Sequence, residues 1–137
     1  MITEVYIKGR YDNGIGKCSV VIVDEQRVVH KVAWAVKDSW EYDGYVVEVD
    51  QYNCEILAAV YAVNWCRNNG RKALNIYANT TTCQKWYYRC MFPETRVMGK
   101  AYTDAKGTDM DIYADFIPKS SPNEFNLLVN DMAEKAR

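Results

Sequence analysis

The chain has 137 residues, of which 49% are hydrophobic and 26% charged, and its 17 basic and 18 acidic residues leave a formal net charge of -1. This composition excludes a disordered chain, and no apolar run reaches the roughly 20 residues of a membrane-spanning helix. A near-neutral chain has no overall attraction to nucleic acid, so such binding would have to come from a local basic surface. We expect a single cytoplasmic domain over residues 1–137, with no membrane partner.

The cysteines and the histidine show no pattern of a disulfide framework or a structural zinc site. Free, buried thiols are therefore expected. The single histidine, His30, falls in a predicted strand and is expected to be structural. The five cysteines lie at Cys18, Cys54, Cys66, Cys83 and Cys90, without CxxC spacing.

The first part of the chain predicts three antiparallel strands. Alternating or β-branched apolar residues are interrupted by turn residues at Asp12-Asn13-Gly14 and at Asp24-Glu25-Gln26. The polar residues 37–49 that follow predict an irregular connection. The expected strands are residues 3–8, 16–23 and 27–36.

A long buried helix follows, and it carries one carboxylate among apolar side chains. Asp50 is a good N-cap, and Asn68-Asn69-Gly70 is a strong signal for the helix end. The carboxylate is that of Glu55, and a buried carboxylate is costly unless it meets a cation, a metal or hydrogen-bond donors. The question of function is therefore what Glu55 faces. The rest of the helix face that carries Glu55 is expected to be filled by apolar side chains, namely Ile56, Ala59, Val60, Val63 and Trp65 or their neighbours.

The second half of the chain predicts two further strands and the remaining helices. A meander followed by two strands that each need a helical crossover predicts an α/β fold with a mixed five-stranded sheet flanked by helices. Three strands form the antiparallel meander and two are parallel. The expected strands are residues 73–78 and 110–117, and the expected helices are residues 80–88, 97–105 and 126–137.

Four segments, in this order of elements, resemble type 1 ribonuclease H. The resemblance spans nearly the whole chain and implies a ribonuclease H-like fold. In that family, four carboxylates hold magnesium ions that activate water to hydrolyse the RNA strand of an RNA/DNA hybrid. The four segments are Val5–Asp12, Cys54–Ala59, Ile76–Asn79 with Lys85-Trp86, and Asn126–Ala136.

Most of the family's acidic positions are replaced in this chain. The resemblance places Lys8, Glu55, Asn79 and Asn130 at the four metal-ligand positions, and Ser120 at the position of the family's turn histidine. We therefore expect a degenerate site with no intact catalytic residue, and no cofactor because the family's magnesium is predicted to be lost. We also expect an ion pair between Lys8 and Glu55, with amide hydrogen bonds to it from Asn79 or Asn130.

Two classes of function remain open. The first is a pseudoenzyme that binds RNA/DNA hybrid or duplex nucleic acid, because cations and aromatic faces can contact phosphates and bases. The second is a protein-interaction or regulatory module that has lost its substrate, which the near-zero net charge favours. An active metal-dependent hybrid ribonuclease is the third alternative. The candidate nucleic-acid contacts are Lys85, Trp86, Tyr88 and Arg89, for which helix and core packing is the alternative interpretation.

Overall fold

The computed structural model describes residues 1–81, 83 and 96–137 of the chain. In these residues no helix is long and apolar enough to cross a membrane. The helix expected over residues 80–88 falls largely outside the described residues. The elements are β1 (Thr3–Asp12), β2 (Ile15–Asp24), β3 (Arg27–Val36), β4 (Trp40–Tyr42), β5 (Tyr45–Val47), α1 (Gln51–Asn68), β6 (Ala73–Ala78), α2 (Arg96–Lys106), β7 (Asp111–Phe116) and α3 (Glu124–Lys135).

The main sheet is mixed, and its strand order is β3-β2-β1-β6-β7. Strands β1, β2 and β3 are antiparallel neighbours, whereas β6 lies parallel to β1, and β7 lies parallel to β6. Parallel neighbours need a crossover, and α1 lies in the connection from the meander to β6. This topology confirms the mixed five-stranded sheet that the order of elements predicts.

Both turns of the meander are two-residue loops with positive φ angles. Asn13 and Gly14 have φ of 51° and 79°, and Glu25 and Gln26 have φ of 49° and 67°. Such loops match the right-handed twist of antiparallel strands, so pairing continues to the turn. Strand β1 therefore runs to Asp12 and not only to residue 8 as predicted.

Residues 37–49 are more ordered than the sequence analysis predicts. Strands β4 and β5 form a small antiparallel hairpin, with Trp40 opposite Val47. Its turn is Asp43-Gly44, with φ of 53° and 79°. An Asp-Gly pair between aromatic and β-branched residues favours this hairpin, so the prediction of an irregular connection is wrong.

Helix α1 begins and ends where its capping residues predict. The Asp50 side chain accepts a hydrogen bond from the Asn53 backbone N–H at 2.7 Å, and the last turn closes through the backbone N–H of Asn69. Helix α3 begins earlier than expected because the Asn123 side chain accepts from the N–H groups of Phe125 and Asn126. The end residues, more than the apolar pattern, thus set the helix bounds.

The sheet is covered on both faces. Helices α1 and α2 contact one another, and α1 packs on the larger core cluster, whereas α3 packs on β1 and β2. Alternate residues of β1 face opposite sides, so Ile7 belongs to the larger cluster and Tyr6 to the smaller one. The free cysteines Cys18, Cys54, Cys66 and Cys83 are buried, as predicted, and Cys90 lies outside the described residues.

Candidate functional site

Helix α1 crosses strand β1 at Gly9, and this contact fixes the position of Glu55. A Cβ added at Gly9 would lie 2.3 Å from the backbone nitrogen of Glu55 and 2.7 Å from its Cα. No ordinary side chain has room there, so a glycine is required for the helix to approach this closely. Glu55 is thereby held beside the central strand, in contact with Gly9, the residue after Lys8.

The Glu55 carboxylate is buried and hydrogen-bonded. Its side chain is 3% exposed, and its Oε1 accepts from the Thr80 hydroxyl at 2.7 Å. Thr80 follows the end of β6, so this bond joins α1 to the central strands. A hydrogen bond to the carboxylate stabilises its charged form and offsets part of the cost of burying it.

The predicted ion pair between Lys8 and Glu55 is wrong. Both residues belong to the described part of the chain, and its ion pairs do not include this one. The strand's alternation explains the difference, because Lys8 lies on the same face of β1 as Tyr6, towards α3, whereas Gly9 meets α1. Lys8 is near enough to Glu55 for an electrostatic attraction, but the two side chains do not form an ion pair.

The predicted amide hydrogen bonds to Glu55 are also wrong. The Asn79 side-chain N–H donates to the carbonyl of Ile117 at 2.9 Å and to Asn126 Oδ1 at 3.0 Å. The Asn130 side-chain N–H donates to the backbone carbonyl of Asn126 at 2.8 Å. Both asparagines therefore serve a structural network centred on Asn126.

Asn126 is the centre of this network, and it is not among the residues predicted from the sequence to form the site. Its side chain is 1% exposed, and its Nδ2 lies 3.1 to 3.2 Å from the backbone carbonyl oxygens of Pro118, Lys119 and Ser121. The network connects β6, the turn after β7 and α3. The spacing of four residues between Asn126 and Asn130 places both on one face of a helix and could have indicated the pair. Ser120, in the same turn, is exposed.

A polar pocket of about 200 Å³ opens beside Lys8. Lys8 is 8% exposed, and neither its ammonium nor that of Lys119 forms an ion pair or hydrogen bond with another described residue. Arg10 pairs with Asp12 at 2.9 Å. The lining thus carries three cations and one carboxylate. The lining residues are Lys8, Gly9, Arg10, Tyr11, Asp12, Gln51 and Lys119.

The electrostatic surroundings disfavour the charged form of Lys8. Burial lowers the pKa of its ammonium below the ordinary value of 10.5, and repulsion from Lys119 and Arg10 lowers it further. Attraction to Glu55 and Asp12 acts in the opposite direction and is weaker. Desolvation and repulsion therefore destabilise protonated Lys8, and a bound anion would offset this cost.

We expect Lys8→Met to raise the free energy of unfolding near neutral pH by about 1 kcal/mol, because it removes a buried cation without a partner. Urea denaturation measures the change, with the exposed Lys72→Met as control. The folded-state pKa of Lys8 lies below its unfolded-state pKa. At pH values between these two pKa values, the unfolded chain therefore binds more protons than the folded chain. The stability of the wild type relative to Lys8→Met should therefore rise with pH through that interval, up to about 10.5. A less stable variant at neutral pH would contradict this interpretation of Lys8.

The basic residues at the end of α1 are engaged within the protein. Arg67 pairs with Asp109 at 3.0 Å, and Arg71 pairs with Asp24 at 2.7 Å. Lys72 is exposed on the connection to β6. These contacts favour a structural role for this end of the helix over a binding surface.

The candidate contacts Lys85, Trp86, Tyr88 and Arg89 lie outside the described residues. Their role in binding nucleic acid therefore stays a prediction. His30, also singled out in the sequence, lies 2.7 Å from the Tyr61 hydroxyl through its Nε2 and stacks on Trp65, with ring centroids 4.7 Å apart. These contacts give His30 a packing role between β3 and α1.

The expectation that a magnesium site has been lost needs correction, because the described residues show no cluster of ligand side chains that would mark such a site. Across residues 1–81, 83 and 96–137, no group of three or more His, Cys, Asp or Glu side chains is close enough to hold a metal ion. Asp12, four residues after Lys8, pairs with Arg10, and Asp131, next to Asn130, pairs with Lys135. The described residues thus do not fit a magnesium site, and no chemical step is derived through that ion.

Comparison with known proteins finds likeness in structure only. No family model and no curated protein matches the chain. RNase H1 from the halophilic archaeon Halobacterium salinarum superposes with a TM-score of 0.74 at 13% identity, covering 99% of this chain and 97% of the other. The N-terminal RNase H domain of a Mycobacterium tuberculosis protein, solved as a fusion with maltose binding protein, gives 0.74 at 12% identity, covering 98% and 93%.

A third structure, LC11-RNase H1 in complex with RNA/DNA hybrid, superposes with a TM-score of 0.68 at 16% identity, covering 98% of this chain and 95% of that protein. Identities this low show the fold and leave the activity open. The chain therefore has a ribonuclease H-like fold, which confirms the fold that the four sequence segments predict.

Proposed function

We propose that this protein, which has a ribonuclease H-like fold, is a pseudoenzyme that binds RNA/DNA hybrid or duplex nucleic acid without cutting it. The observation that carries the proposal is the buried Lys8 on the central strand, at the position where the resemblance expects a carboxylate. We further propose that residues 1–137 form one domain and that the protein is cytoplasmic. The buried free cysteines support a reducing compartment.

The loss of cleavage is supported by the charge of the replaced positions. Lys8 is positive, Glu55 negative, and Asn79 and Asn130 neutral, so the formal charges cancel. The hybrid-cleaving reaction of the family depends on a set of carboxylates at these places. Asn79 and Asn130 instead donate hydrogen bonds to the network centred on Asn126, which is a structural use of their amides.

Retention of binding is supported by the cations beside Lys8. The pocket brings Lys8, Arg10 and Lys119 together, and cationic side chains supply most of the sequence-independent affinity for nucleic acid. A solved protein of the same fold is in complex with RNA/DNA hybrid. This local basic surface is compatible with a net charge of -1 over the whole chain.

A protein-interaction module is the second candidate, and the small hairpin favours it. Tyr45 and Val46 on β5 are 64% and 58% exposed. These side chains point to opposite faces of the hairpin, so each face offers apolar surface that a protein partner could bury. This candidate requires no contact with nucleic acid.

Binding titrations at several salt concentrations separate the two candidates. We expect affinity for hybrid and for duplex nucleic acid, with the logarithm of the association constant falling linearly as the logarithm of salt concentration rises. Single strands of the same length serve as the comparison. Absence of binding to every nucleic acid at low salt would reject the proposal and leave the protein-interaction module.

A further inference from the structure

We propose that the pocket lined by Lys8, Arg10 and Lys119 is a phosphate site that holds one backbone phosphate of the bound nucleic acid. This inference rests on the proposed function and assigns the contact to particular side chains. It places an anion where the resemblance would have placed a set of carboxylates.

Lys8 is a buried cation without a partner among the described residues. Its side chain is more than nine-tenths buried, lines the pocket, and has no hydrogen bond or ion pair with another described residue. Ammonium groups are rarely buried without a partner, because leaving water is costly for a charge. An anionic ligand in the pocket would provide that partner.

Cations from distant parts of the chain converge on the pocket. Lys8 and Arg10 come from β1, and Lys119 comes from the turn between β7 and α3. Lys119 and Arg10 are close enough to Lys8 to disfavour its charged form. Mutual repulsion opposes this arrangement in the free protein, and a shared anion adds an attraction to each cation that offsets the repulsion.

The pocket has the charge and the size that a phosphate group requires. Its charged lining is three cations and the carboxylate of Asp12, which Arg10 already pairs, so an excess of positive charge faces the opening. Gln51, the first residue of α1, adds a neutral amide to the lining. The volume of about 200 Å³ is ample for a phosphate group.

The test uses three variants of the full chain with RNA/DNA hybrid as the probe. Lys119→Gln removes an exposed cation of the pocket and should lower hybrid affinity several-fold at low salt, with a salt slope smaller in magnitude by about one. Asp12→Asn frees Arg10 and should raise affinity. Lys72→Gln is the matched control, because Lys72 lies far from the pocket. It immediately precedes β6, whose Leu74 pairs with Thr3, and Thr3 is about 17 Å along β1 from Lys8.

Equal losses of affinity for Lys119→Gln and Lys72→Gln, with wild-type binding intact, would overturn the phosphate site and leave the proposed function standing. Failure of the wild type to bind hybrid would instead reject the proposed function, and this inference with it. Inorganic phosphate, titrated by NMR, distinguishes the source of the phosphate. Phosphate-induced shifts that Lys119→Gln removes, without any change in hybrid affinity, would overturn the assignment to a backbone phosphate.

Discussion

Gly9→Ala should destabilise the protein by about 3 kcal/mol, because the new Cβ would meet the backbone of α1, which side-chain rotation cannot relieve. The added atom would lie 2.3 Å from the Glu55 nitrogen and 2.8 Å from the Cys54 carbonyl carbon. The helix must move away from β1, and the contacts of the larger core cluster are weakened with it. Thermal or urea denaturation measures the loss.

The matched control for this substitution is Gly44→Ala. Gly44 has a φ of 79° and no heavy atom within 4 Å of an added Cβ, so only its backbone conformation opposes alanine. That penalty is about 1 kcal/mol. If Gly9→Ala were no more destabilising than Gly44→Ala, the close approach of α1 to β1 would not be the contact that fixes Glu55.

Asn126→Ala should destabilise the protein by about 3 kcal/mol, because several buried polar groups lose their partner together. The side chain of Asn126 contacts carbonyl oxygens of the turn after β7 and accepts from the amides of Asn79 and Asn130. The same denaturation measurement applies. Asn130→Ala, which removes one outer member of the network, should be milder, at about 1 kcal/mol.

A loss for Asn126→Ala no greater than that for Asn130→Ala would contradict the central place of Asn126. The comparison is informative because both residues lie on α3 and both change to the same small side chain. The change in helix propensity is at most about 0.7 kcal/mol at either position, less than the expected difference of about 2 kcal/mol, so the difference reports the hydrogen bonds.

The sheet follows from local sequence signals. The dipeptide Asn13-Gly14 favours a two-residue hairpin, and this turn sets the register of β1 against β2. The alternation within residues 3–8 predicts a strand there. Strand β6 matches its predicted bounds, residues 73–78, because apolar residues there end abruptly at polar ones.

The arrangement of the site depends on information that local patterns lack. Charge alone predicts a pair between Lys8 and Glu55, but the pairing depends on which face of β1 each neighbour occupies. Lys119 reaches the surroundings of Lys8 from more than a hundred residues away in sequence, through the turn after β7. Only the tertiary fold brings these cations together.

The hydrogen bonds of the amide network also cannot be predicted from local sequence patterns. The resemblance assigns Asn79 and Asn130 by position to a former ligand set, and their residue type alone does not predict their partners. The structure gives both a common partner in Asn126, a residue on the buried side of α3. A neutral amide can donate and accept, so its role depends on the groups that surround it.

The most direct test of the central claim, binding without cleavage, is a single incubation of end-labelled RNA/DNA hybrid with excess protein. Magnesium or manganese is present in the buffer, and the sample is divided between a native and a denaturing gel. We expect a retarded complex on the native gel and an intact RNA strand on the denaturing gel. RNA fragments that disappear in the Glu55→Gln variant would contradict the account.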